Sequence, residues 1–173
     1  MKSGFFIFSK NIEKEGGNNM FRFLKIGAPL KGEVVLCAEV KDRVFAEEML
    51  GKGIAIKPSE GKVYAPFDGE VGTVFETKHA ISLISKTGIE VLIHVGIDTV
   101  KLNGEHYKAH VVSGQKIKKR ELLLDFDIEK IENAGYDLIT PVIVCNTEDY
   151  KEIIRKTGKQ VMPGDTVMEL KKK

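Results

Sequence analysis

The sequence predicts an all-β fold, an antiparallel β-sandwich or barrel carrying one or two short helices. Three observations predict it. Short runs of β-branched and other apolar residues recur along the chain, parted by turns of Gly, Pro and Asp. Helical signals are confined to two places. Two weak internal repeats set Pro and Gly where a strand must reverse. In the first, Ala28-Pro29-Leu30-Lys31-Gly32-Glu33-Val34 is echoed by Ala65-Pro66-Phe67-Asp68-Gly69-Glu70-Val71; in the second, Gly114-Gln115-Lys116-Ile117 is echoed by Gly158-Lys159-Gln160-Val161.

Residues 1–19 read as a flexible extension outside the fold, and the patterning begins at Met20. Gly16-Gly17 can be encoded by a purine-rich ribosome-binding sequence, with the codons of Asn18-Asn19 as its spacer. Met20 is therefore an expected physiological start, and an ordinary flexible leader is the alternative. Residues 20–173 are expected to form one domain. Its strands are expected at 32–38, 53–57, 62–65, 70–76, 80–85, 89–95, 107–112, 122–126, 142–146, 152–156 and 166–170. A helical turn or two fits Val44 to Leu50, stopped by Gly51. A second short helix starts at Asp127, a good N-cap, and ends before Gly135.

Composition excludes several classes. A net charge of +2 shows no bias toward an anionic partner, and Arg/Lys clusters interleaved with aromatics are missing, so nucleic acid is not an expected partner. No apolar run approaches the roughly 18 residues of a membrane span. Phe5-Phe6-Ile7-Phe8 is too short for a signal-peptide core, and the expected location is the cytoplasm. Cys37 and Cys145 lie in apolar runs and are expected to be free, buried thiols; their spacing suits no two-Cys metal site.

The fold is expected to centre on Val91-Leu92-Ile93-His94-Val95-Gly96-Ile97-Asp98. Strand alternation turns His94 away from Ile93 and Val95, onto the face of Leu92. An imidazole there suits a satisfied core histidine or a nucleophile in a dry depression. If 70–76 and 80–85 form a hairpin beside 89–95, His79 meets His94 across neighbouring strands, and Thr77 can bond the His79 ring. His106 and His110 read as surface or structural groups. There is no nucleophile elbow, no HExxH element and no glycine-rich phosphate loop, which leaves the His79–His94 pair as the chemical candidate.

The segments around these histidines resemble the glucose-type enzyme IIA domain of the bacterial phosphoenolpyruvate–sugar phosphotransferase system. The resemblance is carried by Leu92-Ile93-His94-Val95-Gly96-Ile97-Asp98-Thr99-Val100, Phe75-Glu76-Thr77-Lys78-His79-Ala80 and Asp42-Arg43-Val44-Phe45-Ala46. Further blocks are Gly51 to Pro58, Ala65-Pro66-Phe67-Asp68-Gly69, Thr140 to Asn146 and Pro163-Gly164-Asp165. It implies a β-sandwich and a phosphoryl relay. The carrier HPr, phosphorylated on its own histidine, would charge His94 on Nε2. His94 would pass the group to a cysteine of a glucose-type enzyme IIB, and a sugar crossing the membrane would receive it. His79 would lie beside His94, with Thr77 supporting the second ring. Asp42 and Asp98 fall at family positions that can pair with an HPr arginine; the alternative is a pair of turn carboxylates, above all for Asp98, directly after Gly96-Ile97. Val44, Phe45, Phe75 and Gly96 would join them at the partner surface. The resemblance implies no cofactor and no metal, and reaches the membrane only through the transporter partner.

The chemistry of the residues agrees. Imidazole is a nucleophile that is neutral at physiological pH. Nδ1–H bonded to a backbone carbonyl near Gly96 would leave Nε2 free. A His79 N–H could steady charge on the transferring group. A dry rim of Val44, Phe45, Met49, Leu50, Phe75 and Ile81 would slow hydrolysis and offer a docking patch, although each of these residues suits the core equally well. The chain departs from the family where Lys119-Arg120 replaces the usual Gly-Asp turn, and at Lys78 and Ile81 beside His79. Two other readings stay open. A zinc hydrolase would use His79, His94 and either Asp98 or Asp42, although its HxH element is missing. A biotinyl- or lipoyl-type carrier would need a modified lysine at a hairpin tip, which Gly158-Lys159-Gln160-Val161-Met162-Pro163 fits poorly. A regulatory module displaying the phospho-state of His94 would add to the main reading. The chain is expected to act as a free-standing IIA or as a domain of a longer protein, and the sugar is set by the membrane partner.

Overall fold

Alternating apolar side chains build a sandwich in the computed structural model, which describes residues 22–173. Its strands are β1 (Leu24–Gly27), β2 (Gly32–Leu36), β3 (Lys52–Pro58), β4 (Lys62–Tyr64), β5 (Gly69–Val74), β6 (Ala80–Ser85) and β7 (Glu90–His94). They continue as β8 (Tyr107–Ala109), β9 (Lys116–Ile117), β10 (Leu122–Phe126), β11 (Thr140–Val144), β12 (Tyr150–Arg155), β13 (Lys159–Val161) and β14 (Thr166–Lys172). Two short α-helices, α1 (Arg43–Ala46) and α2 (Ile128–Asn133), and single 3₁₀ turns interrupt them. An eight-stranded sheet runs β13-β2-β3-β11-β7-β6-β5-β9. Two three-stranded sheets run β1-β14-β12 and β4-β10-β8.

The register of the large sheet sorts its residues by face. On β7, Ile93 lies opposite Val142 of β11 and Ile81 of β6, and Val142 lies opposite Ile54 of β3. All four belong to the main core. Burying each such side chain contributes about 1.5–3 kcal/mol. Leu92 and His94 alternate onto the other face, where Leu92 meets Ile143 and His94 meets Ala80. That face carries a smaller apolar cluster that includes Val35, Cys37, Phe45, Ala55, Ile97 and Ile143. Phe45 comes to it from α1, so α1 and the sheet face under His94 are one packing unit.

Some expectations are corrected. Of the two readings open for Ile81, core and rim, the structure gives the core: it is fully buried, because it pairs with Ile93 and so shares its face. Cys145 is exposed, because β11 ends at Val144. Cys37 is buried, and burial pushes its thiol up to about 11. Helix α1 stops at Ala46 instead of reaching Leu50; Glu48 takes φ +55° and its carboxylate pairs with Arg155. Strands β1, β9 and β13 add to the expected set. Arg120, in the Lys119-Arg120 turn, has φ +75°, the conformation that glycine adopts without strain. The extension 1–19 and the expected start at Met20 lie outside the described residues.

Candidate functional site

His94 is the last residue of β7, and the chain turns directly after it. Gly96 has φ +89°, and an ideal Cβ there would sit 2.5 Å from Thr99 Cγ2, so glycine is required on both counts. The turn brings the Gly96 carbonyl back to the ring of His94, 2.7 Å from Nδ1. A carbonyl only accepts, so Nδ1 carries the proton. In the neutral ring Nε2 then keeps a free lone pair.

His79 closes the turn between β5 and β6 and is 4% exposed. Its Nδ1 shares a 2.6 Å hydrogen bond with Thr77 Oγ1. Its carbonyl accepts from Val95 N–H at 2.7 Å, which ties the two histidine-bearing loops together. The rings of His79 and His94 meet edge-on with centroids 4.8 Å apart. Phe45 lies 5.0 Å from His94, and Phe75 lies 5.8 Å from His79. Each imidazole thus has an aromatic neighbour as well as the other imidazole.

Both rings are held neutral. Burial, and then the nearby His94, lower His79 to about 4. Burial also lowers His94, against the opposing pull of the Gly96 carbonyl and of the Asp42 and Asp98 carboxylates. Asp42 is the N-cap of α1, where Oδ1 accepts from Val44 N–H at 2.9 Å. Asp98 is exposed, with φ +60°, at the start of the 3₁₀ turn Thr99–Leu102. Val44 and Phe75 are about two-fifths exposed, while Phe45 and Gly96 are buried. Met49 and Leu50 are exposed in the loop after α1.

The structure therefore brings together His94, His79, Thr77, Phe45, Phe75 and Gly96, with Asp42 and Asp98 near enough to bias the His94 ring. His110 stands elsewhere, bonded through Nε2 to Asp125 Oδ2 at 2.7 Å. Two buried hydroxyls that sequence reasoning missed, Thr99 and Tyr107, both reach the Val95 carbonyl. No periodicity or motif signals that convergence, which depends on how 99–107 folds back. Among the described residues no group of three or more His, Cys, Asp or Glu side chains is placed to hold a metal ion, so a zinc site has no third ligand beside the histidine pair. No described helix is long and apolar enough to cross a membrane.

The chain resembles known proteins over most of this fold. Residues 24–150 match the family described as phosphoenolpyruvate-dependent sugar phosphotransferase system, EIIA 1. The glucosamine-specific EIICBA component of Bacillus subtilis (strain 168) is 58% identical over 130 residues, 74% of this chain and 21% of that protein. The β-glucoside-specific EIIBCA component of Dickeya chrysanthemi is 53% identical over 126 residues, 73% of this chain and 20% of that protein. The chain thus spans about a fifth of the length of these relatives. Among solved structures, glucose permease IIA from Mycoplasma capricolum matches with a TM-score of 0.80 and 36% identity, covering 86% of this chain and 96% of that one.

Proposed function

This chain belongs to the EIIA 1 family of the phosphoenolpyruvate-dependent sugar phosphotransferase system, phosphoryl carriers that act through a phosphohistidine, and from that premise we propose that His94 is the residue phosphorylated. Phospho-HPr is the donor, a cysteine of a glucose-type enzyme IIB is the acceptor, and the cytoplasm is where they meet. The observation that carries the reading is the bond from His94 Nδ1–H to the Gly96 carbonyl, which leaves Nε2 as the free nitrogen.

In the first step the Nε2 lone pair of His94 attacks phosphorus. The P–N bond to the HPr histidine breaks, and its electron pair returns to that ring. His94 keeps its Nδ1 proton, so the phosphorylated ring carries positive charge. The Gly96 carbonyl and the Asp42 and Asp98 carboxylates favour that charge. In the second step a cysteine thiolate of enzyme IIB attacks, a P–S bond forms, and Nε2 recovers its lone pair. His79 stays neutral throughout. With the Thr77 hydroxyl donating to its Nδ1, its Nε2–H can donate to a phosphoryl oxygen. Val44 and Phe75 form the exposed apolar rim and Asp42 and Asp98 the acidic one, a pattern that suits a docking partner presenting an arginine.

The test is intact mass after incubation with phosphoenolpyruvate, enzyme I and HPr. One acid-labile phosphate on the wild type and none on His94→Gln is expected; a phosphorylated His94→Gln protein rules out this nucleophile.

A further inference from the structure

The carbonyl that holds His94 Nδ1 belongs to Gly96, the residue type with the weakest intrinsic hold on its flanking peptide planes. Other groups fix both planes. Ile97 N–H, in the same plane as the Gly96 carbonyl, donates to the Asp137 carbonyl at 2.9 Å. In the preceding plane the Val95 carbonyl accepts from Thr99 Oγ1 and from the Tyr107 hydroxyl, each at 2.8 Å. Thr99 is fully buried and Tyr107 nearly so. Burial pushes the Tyr107 phenol up to about 12, so it remains a protonated donor. Two donors use both lone pairs of one carbonyl and fix its plane in direction as well as position.

We propose that Thr99, assisted by Tyr107, is a positioning residue for phosphoryl transfer: by clamping the Val95 carbonyl it aims the Gly96 carbonyl at His94 Nδ1 and keeps Nε2 as the free nitrogen. Neither hydroxyl is placed at the reacting atoms; both act through the glycine between the two clamped planes. The inference rests on the reading of His94 as the phosphoryl acceptor. A relaxed Gly96 carbonyl would let the ring take the opposite tautomer, with its free lone pair on Nδ1, turned from the incoming phosphorus.

Thr99→Val keeps the side-chain shape and removes the hydroxyl, whereas Thr99→Ser keeps the hydroxyl. Ring-nitrogen NMR shifts of His94 in labelled, unphosphorylated protein at neutral pH report the tautomer directly. Wild type and Thr99→Ser are expected to show one form, protonated on Nδ1. Thr99→Val is expected to show a mixture and to accept phosphate from phospho-HPr roughly three- to tenfold more slowly. Tyr107→Phe should move both readouts less, and the double variant more than either. A Thr99→Val protein with the wild-type tautomer and rate overturns the proposal. So does a Thr99→Ser protein as impaired as Thr99→Val, which would assign the effect to methyl packing on Gly96. If Thr99→Val does not fold, Tyr107→Phe is read in the same way, and an unmixed tautomer overturns the clamp. A wild-type protein that takes no phosphate on His94 sinks the underlying reading, while the tautomer comparison still judges the clamp.

Discussion

His79 and His94 meet edge-on where β6 begins and β7 ends, their rings 4.8 Å apart and their planes at 81°. Burial and the nearby His94 ring keep His79 neutral, while burial lowers His94. The contact also sets the His79 ring next to the ring whose Nε2 the Gly96 bond leaves free.

A pH dependence of stability follows. Unfolded, a histidine binds its proton near 6.5, whereas folded His79 binds it only near 4. Between those values the unfolded chain holds more protons, so this contribution is complete above about 6.5 and is lost as pH falls toward 4. Thermal melts across that range should show the decline, and His79→Gln should flatten it. A variant with the same decline would place its origin in other groups.

Asp42 caps α1, and substitution can separate that cap from its proposed role at the HPr surface. Asp42→Ala removes the cap of α1 and should cost about 1 kcal/mol. Asp42→Asn keeps an acceptor for Val44 N–H and should melt close to wild type. Both should weaken HPr binding, most at low ionic strength. Unchanged affinity for Asp42→Asn, measured by calorimetry, would remove the carboxylate from the interface.

The two phenylalanines should behave oppositely. Phe45 is 5% exposed and packs on His94, so Phe45→Ala should cost about 3 kcal/mol and shorten the lifetime of the phosphorylated protein. Phe75 is 39% exposed; Phe75→Ala should change stability by only about 0.5 kcal/mol yet slow transfer with its partners. Chemical denaturation and stopped-flow transfer separate the two effects.

His79→Gln should still accept phosphate from HPr, because His94 keeps its Gly96 bond. Delivery to enzyme IIB should fall, because the flexible glutamine amide does not keep the ring N–H that the Thr77 bond holds in place. Normal delivery would make His79 a bystander.

Much of this site was readable before the fold was known, for identifiable reasons. Strands β6 and β10 match their expected ranges to the residue, because turn residues bound them at both ends. Alternation put His94 on the face of Leu92, and the expected carbonyl near Gly96 is that of Gly96 itself. Core and rim stay open for Ile81 in the sequence, because adjacency to His79 says nothing of which face pairing gives it. Strand β9 is two residues long, too short for any period to register. Thr99 and Tyr107 converge on Val95 only once 99–107 has folded back, so no linear pattern marks them.

The measurement that bears most directly on His94 is phosphorus and ring-nitrogen NMR of the protein charged by phospho-HPr. Phosphorus bonded to Nε2 of His94, with the Nδ1 proton still present and protected by its bond to Gly96, is the expected result. Phosphorus on Nδ1, or on any residue other than His94, would contradict it.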